Sequence, residues 1–294
     1  MRKPAAPKRK KAARAGAARS SAARGAGAIR HWHDLTTEEL ARLPLARAVA
    51  VLPVGATEQH GPHLPLSVDA DIASAVVERA LLKLAPSVPV LVLPLVPIGV
   101  SPEHADFPGT LTLKPDTFIR MVVEIGESVA AAGIERLVIV NGHGGQPGAI
   151  DLAAQELRRH RGMLVVPVNS FDLYDARARF PADEIKHGIH GGAVETSIML
   201  HLKPASVRTG KTRDFASATK RMAGRYKRLS PQGKSGFAWQ AQDLNPAGVV
   251  GDARRADAPR GRALVEAAAT RLAELLAEAS RAPLKSILTR KRRR

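Results

Sequence analysis

Cysteine is missing altogether from this chain of 294 residues. Disulfides and thiolate metal sites are thereby excluded, and any metal must be held by His, Asp and Glu. No apolar run approaches the roughly eighteen residues that a membrane span requires. The basic N-terminus has no apolar stretch behind it, so no secretory signal is expected and cytoplasm is the default location. Its Arg- and Ala-rich start shares the composition of a transit peptide, without further support. Acidic residues are lacking from positions 1–30, which hold ten Lys/Arg, and from 290–294, which are all basic. Setting those fifteen aside leaves 30 of the 45 basic residues against 27 acidic ones, so the +18 of the whole chain falls to about +3. The positive charge therefore sits in two tails, 1–30 and 286–294, around a nearly neutral body at 31–285. Ala, Gly, Ser and Pro between the N-terminal charges cannot bury enough apolar surface to fold, so a disordered tail is expected. Its charge suits a weak, salt-sensitive contact with nucleic acid. No aromatic residue is there to stack on bases, which counts against specific recognition.

The body alternates apolar runs with amphipathic ones. Thr36 to Glu39 has capping-box spacing before a short helix through Leu40. Ala48 to Val54 reads as a strand buried on both faces, Val88 to Val96 as a second, Leu137 to Val140 as a third and Met163 to Val168 as a fourth. Helices are predicted over Asp71 to Leu84, Pro115 to Ala132, Ala149 to Arg161, a segment carrying Glu195, and Ala263 to Ala279. Arg208 to Arg262 reads as largely irregular. Strands alternating with helices predict an α/β fold with a mainly parallel sheet covered on both faces.

Polar residues gather after the strands. Glu58-Gln59-His60-Gly61-Pro62-His63-Leu64-Pro65-Leu66-Ser67-Val68-Asp69 follows the first strand, and Glu58 and His60 share a side in extended backbone. Two carboxylates and an imidazole within twelve residues suit zinc or manganese; an ordinary polar loop is the alternative. Parallel sheets bind ligands outside the carboxyl ends of their strands, so Asn141-Gly142-His143-Gly144-Gly145-Gln146 should converge on the same place. The glycines there could cradle a phosphate, but the Lys-Ser/Thr pair of a P-loop is lacking. Convergence makes His143 a ligand candidate beside Glu58, His60 and Asp69.

These segments resemble the creatininase family, the creatinine amidohydrolase-like metal hydrolases that include mycofactocin-type peptidases and formamide hydrolases. Carrying the resemblance are Thr57 to Pro65 with Asp69, Ser101-x-Glu103-His104 with Phe107-Pro108-Gly109-Thr110, Asn141 to Gly145, and His190-Gly191-Gly192 with Glu195-Thr196-Ser197, in family order. The resemblance implies a three-layer α/β/α sandwich, commonly hexameric, with two divalent ions (Zn, Mn or Fe). It implies that Glu58 and His143 bind one ion, His60 the other, and Asp69 both. Creatinine-hydrolysing members place one more ligand, a Glu, where this chain has Gly145; Glu195 is expected to replace it or to support the ligands from behind. His190 matches the family's proton donor, and Glu195 is a second candidate for the chemistry. Ser101, Gly144 and His104 fall where substrate contacts are expected; Glu103 and His104 could equally serve only their own loop.

The activity so implied is hydrolysis of an amide or cyclic amide C–N bond in a small molecule, by water that a dinuclear metal site activates. Creatinine itself is not the expected substrate. Tryptophan precedes the proton-donating His in creatinine-specific members, whereas here Lys186-His187-Gly188-Ile189 does, and the two tryptophans are Trp32 and Trp239. A creatininase-like peptidase of cofactor maturation is the alternative. A basic nucleic-acid-binding protein and a catalytically inert scaffold are readings from other classes.

Overall fold

The structure, a computed structural model, describes residues 31–233 and 236–289. The tails expected at 1–30 and 290–294 lie outside the described residues. Helix α1 (Thr37–Arg42) opens on the capping box: the Glu39 N–H donates to Thr36 Oγ1 at 3.2 Å, and the Thr36 N–H donates to the Glu39 carboxylate at 2.8 Å. Then come β1 (Val49–Val54), α2 (Val68–Leu81), β2 (Val90–Val92), α3 (Pro115–Ala131), β3 (Arg136–Asn141), α4 (Pro147–Arg161) and β4 (Leu164–Asn169). After them follow α5 (Ala182–His187), α6 (Ala193–Leu202), β5 (Asp214–Phe215), α7 (Ala218–Arg225), α8 (Ala241–Leu244), β6 (Gly251–Asp252), α9 (Ala258–Arg281) and α10 (Leu284–Ile287).

Strands β2, β1, β3 and β4 lie side by side in that order, all parallel, with Ala50 opposite Leu91 on one side and Leu137 on the other. Period-two alternation divides their side chains between two cores. Val49, Val51, Val138 and Val140 pack under α2, α6 and α9, while Ala50, Leu52, Leu137 and Ile139 pack under α3 and α4. The result is the α/β sandwich with helices on both faces, and it leaves the ligand-type loops at the carboxyl ends of the strands.

Three elements differ from expectation. Strand β2 has three residues rather than nine because Pro89 and Pro94 bracket it; the chain rejoins β1 only where the Val96 N–H donates to the Pro53 carbonyl at 3.0 Å. Helix α9 starts five residues early, where Asp257 caps it by accepting the Arg260 N–H at 2.8 Å. Gly261, a breaker on sequence grounds, is there because a Cβ would run into the Ser197 carbonyl of α6, so it sets how closely the two helices pack. Residues 208–262 hold two short helices and the antiparallel pair β5–β6, too short to leave a periodic pattern. No described helix is long and apolar enough to cross a membrane.

Candidate active site

Glu58 and His60 stand on the loop after β1, Asp69 in the first turn of α2, His143 after β3, and His190 and Glu195 around the start of α6. All six converge. His60 Nε2 lies 3.3 Å from Asp69 Oδ1 and 3.8 Å from Glu195 Oε2. His143 Nδ1 lies 3.1 Å from Glu58 Oε2 and 3.2 Å from Asp69 Oδ2. Asp69 thus presents one oxygen to each imidazole. Glu58, His60, Asp69, His104 and His143 are buried.

Local hydrogen bonds decide which ring nitrogens face the centre. The Nδ1–H of His60 donates to the Glu58 carbonyl at 3.1 Å, leaving the Nε2 lone pair free. In His143 the roles are exchanged: Nε2–H donates to the Val100 carbonyl at 2.9 Å and Nδ1 is left free. Such outward N–H bonds fix ring orientation and tautomer in metal-binding histidines. Asn141 shapes the turn that aims His143, accepting its N–H at 3.0 Å and donating to its carbonyl at 2.7 Å.

Three buried atoms, Glu58 Oε2, His60 Nε2 and Asp69 Oδ2, have no hydrogen-bond partner. Leaving such groups unpaired is costly, and native proteins rarely do so without a bound ion or a catalytic role. Ligand atoms of Glu58, His60 and Asp69 lie within 4.8 Å of one another, as do those of His60, His190 and Glu195, and those of Glu58, His104 and His190. An all-His/carboxylate donor set with two free lone-pair nitrogens fits divalent zinc or manganese.

Charge coupling within the cluster follows the same geometry. Burial opposes protonation of His60, but Asp69, Glu195 and Glu58 outweigh it and lift its pKa to about 9. His143 is likewise raised against its burial, by Glu58 and Asp69. Burial pushes Glu195 up to about 7, with Asp69 and Glu58 adding and His60 opposing. Burial, then the neighbouring His60 and His104, hold His190 well below the usual imidazole range. The same carboxylates that draw protons to His60 and His143 would draw a cation, which would compete with protons for these lone pairs.

Sequence reasoning missed the residue that arranges the upper half of the site. Gln59, buried between the two ligand candidates, accepts the Gly61 N–H on Oε1 at 3.0 Å and donates from Nε2 to the Gly248 carbonyl at 2.6 Å. Those bonds fix its amide, so Nε2 donates to His104 Nδ1 at 2.8 Å. The remaining proton of His104 then points from Nε2 toward Glu58 Oε1, 3.4 Å away. The Gln59 carbonyl accepts from His190 Nε2 at 2.8 Å, which leaves His190 Nδ1 facing the site, 3.8 Å from Glu58 Oε1. His104 and His190 stack with ring centroids 4.2 Å apart. His63 was also missed; its Nε2 lies 3.0 Å from both the Gly191 carbonyl and Thr196 Oγ1, tying the β1 loop to the helix that carries Glu195. The only signal for Gln59 was its place between Glu58 and His60, which turns it to the opposite side.

A cavity of about 740 Å³ opens over the cluster, reaching Glu58, Asp69, His104, His143, His190 and Glu195. Gly144 lines it, as does Trp239 from the stretch read as irregular. Ser101 does not face it. This fully buried serine lies behind His143, its Oγ 3.3 Å from Nε2, because the turn of residues 102–104 carries Glu103 and His104 to the cavity instead.

The profile described as Creatininase: Creatinine amidohydrolase matches residues 33–276. A mycofactocin precursor peptide peptidase of Mycobacterium tuberculosis is 34% identical over 240 residues, covering 80% of this chain and 86% of the relative. A creatinine amidohydrolase of Pseudomonas putida is 34% identical over 203 residues, 63% of this chain and 76% of the relative. Among solved structures, a Glu-to-Gln creatininase mutant complexed with creatine superposes with a TM-score of 0.70 at 28% identity, over 86% of this chain and 99% of that one. A creatininase with Mn gives 0.69 at 28% identity, over 85% and 98%. By its sequence over nearly its whole described length, and by its fold, the chain belongs to the creatininase family of hydrolases.

Proposed function

We propose that the chain is a metal-dependent hydrolase of an amide C–N bond carried by a substrate larger than creatinine. The observation that carries this reading is the set of buried, unpartnered lone-pair atoms on Glu58, His60 and Asp69, a cluster with no evident purpose without a cation. Glu58, His60, Asp69, His143 and Glu195 would hold two divalent ions, with Asp69 shared. Such ions, when bound, supply an activated water and polarise the scissile carbonyl.

The rest of the chemistry falls to the chain. His190 has its Nε2–H committed to the Gln59 backbone carbonyl, so Nδ1 is the nitrogen turned to the reacting atoms. It takes a proton from the attacking water and returns it to the leaving nitrogen, a general base that becomes the general acid. Stacking of His104 on His190 fixes the ring plane in which that proton moves. Gly144 leaves the mouth of the site open.

Size sets the substrate class. The cavity of about 740 Å³ is far larger than a single small ring needs, since pockets for drug-sized ligands begin near 300 Å³. Position 145 is glycine and supplies no ligand; the Glu103 carboxylate and His143 Nε2 occupy the space where a Cβ would sit. A peptide amide is the second reading, favoured by the 34% identity to a mycofactocin precursor peptide peptidase. The test is a panel of creatinine, N-formyl amines, cyclic amides and short peptides incubated with metal-replete protein, with products identified by mass spectrometry. Cleavage of at least one larger amide is expected, with creatinine below about 10⁴ M⁻¹s⁻¹ in kcat/KM, the low end for committed enzymes. Creatinine turnover above that limit would overturn the substrate reading.

A further inference from the structure

Aromatic residues are scarce in this chain, with two Trp, two Tyr and six Phe. Phe171, Tyr174 and Trp239 all line the one cavity over the candidate metal cluster. The same wall carries the carboxylates of Glu58, Asp69, Glu103 and Glu195, and none of its described residues is Lys or Arg. Three of those acids belong to the cluster that would hold cations. Glu103 does not. Its Oε1 lies 3.6 Å from His143 Nε2, too far for a hydrogen bond, and that N–H is already donated to the Val100 carbonyl at 2.9 Å. Moreover, Glu103 meets the edge of the ring opposite Nδ1, the nitrogen that faces Glu58 and Asp69. Its side chain keeps 15% of its surface open toward the cavity.

A carboxylate open to a cavity that aromatic rings also line makes a site for positive charge. With Glu58, Asp69 and Glu195 given to the ions, Glu103 is the cavity carboxylate left to meet a substrate. Glu103 has room for its carboxylate because position 145 is glycine; a Cβ there would meet Glu103 Oε1 first. We infer that Glu103, in a cavity also lined by Phe171, Tyr174 and Trp239, is its specificity residue, and that it selects amide substrates bearing a protonated amine or other cationic nitrogen group. The inference rests on the hydrolase reading for the word substrate, but the binding site it assigns stands without turnover.

Benzyltrimethylammonium is a suitable probe, since its charge is fixed at every pH and it has no lone pair with which to ligate a metal. Titration calorimetry of the metal-loaded full chain should show binding by the wild type. E103Q should bind about five- to tenfold more weakly, the scale expected for one cation contact, and E103K should show no binding. Trp239→Ala should also weaken it. Elemental analysis of E103Q should return the wild-type metal content, separating a reader of charge from a residue that positions His143. Wild-type protein that does not bind the probe, E103Q within twofold of wild type, or metal lost from E103Q would each overturn the inference. A positive titration combined with failure of every amide in the hydrolysis panel would leave the cation site standing and sink only the hydrolase reading.

Discussion

In the proposed mechanism His190 moves protons while the other members of the cluster hold the ions. Its Nε2 is tied to the Gln59 carbonyl at 2.8 Å and only Nδ1 faces the site. His190→Ala is therefore expected to keep its metal and to lose about 10²–10⁴-fold in turnover, the usual contribution of a general acid–base group. Elemental analysis and steady-state rates on the same preparation check both halves; a rate within a few-fold of wild type would remove His190 from the chemistry. Gln59→Ala removes the amide that orients His104 and leaves the backbone carbonyl that holds His190, so kcat should fall modestly, through the stacked His104, with metal content unchanged. Glu58, His60 and Asp69 were legible in the sequence because they crowd into twelve residues at the end of a buried strand. Gln59 and His63 were not, because their partners, His190 and Thr196, lie more than 120 positions away. Glu195 was legible only through the motif around it; its approach to His60 depends on how α6 is packed.

Among the elements, α9 carries the most of one core. Leu264, Leu272 and Leu276 are wholly buried along its inner face, over α2 and the sheet. Leu272→Ala should cost about 2–5 kcal/mol of stability, measured by denaturant unfolding, from lost burial and the cavity left behind. The same helix meets α2 through Glu266, which binds Lys83 at 2.8 Å and also Arg79. Bonds to Lys83 and Arg79 hold the Glu266 carboxyl down at about 2. A depressed folded value means stability that is present above the unfolded value of 4.5 and lost as pH falls through it toward 2. The pair is partly exposed, so Glu266→Gln should cost no more than about 1 kcal/mol at pH 7, and the gap from wild type should close by pH 2. Unfolding of the two proteins across that range decides; a gap that widens in acid would contradict the assignment. Strands and long helices were legible because their periodicities persist over enough residues. The β5–β6 pair and α7 were not, since two-residue strands and a single eight-residue helix leave no pattern.

At the scale of the whole molecule, charge and chemistry occupy different parts of the chain. Fifteen of the 45 basic residues fall in 1–30 and 290–294, outside the matched region 33–276. Deleting both segments should leave amide turnover unchanged while abolishing any salt-sensitive binding to DNA; loss of turnover instead would place the tails in the enzyme's function. Because a cation would satisfy atoms that are otherwise buried and unpaired, chelation should lower the thermal midpoint, and restored zinc or manganese should recover it. The most direct measurement is the metal content of protein purified without chelator, wild type beside Asp69→Ala. Asp69 faces His60 with one oxygen and His143 with the other. Expected are about two divalent ions per wild-type chain and the loss of both from Asp69→Ala; a variant that retains its full metal content would contradict the shared-carboxylate site.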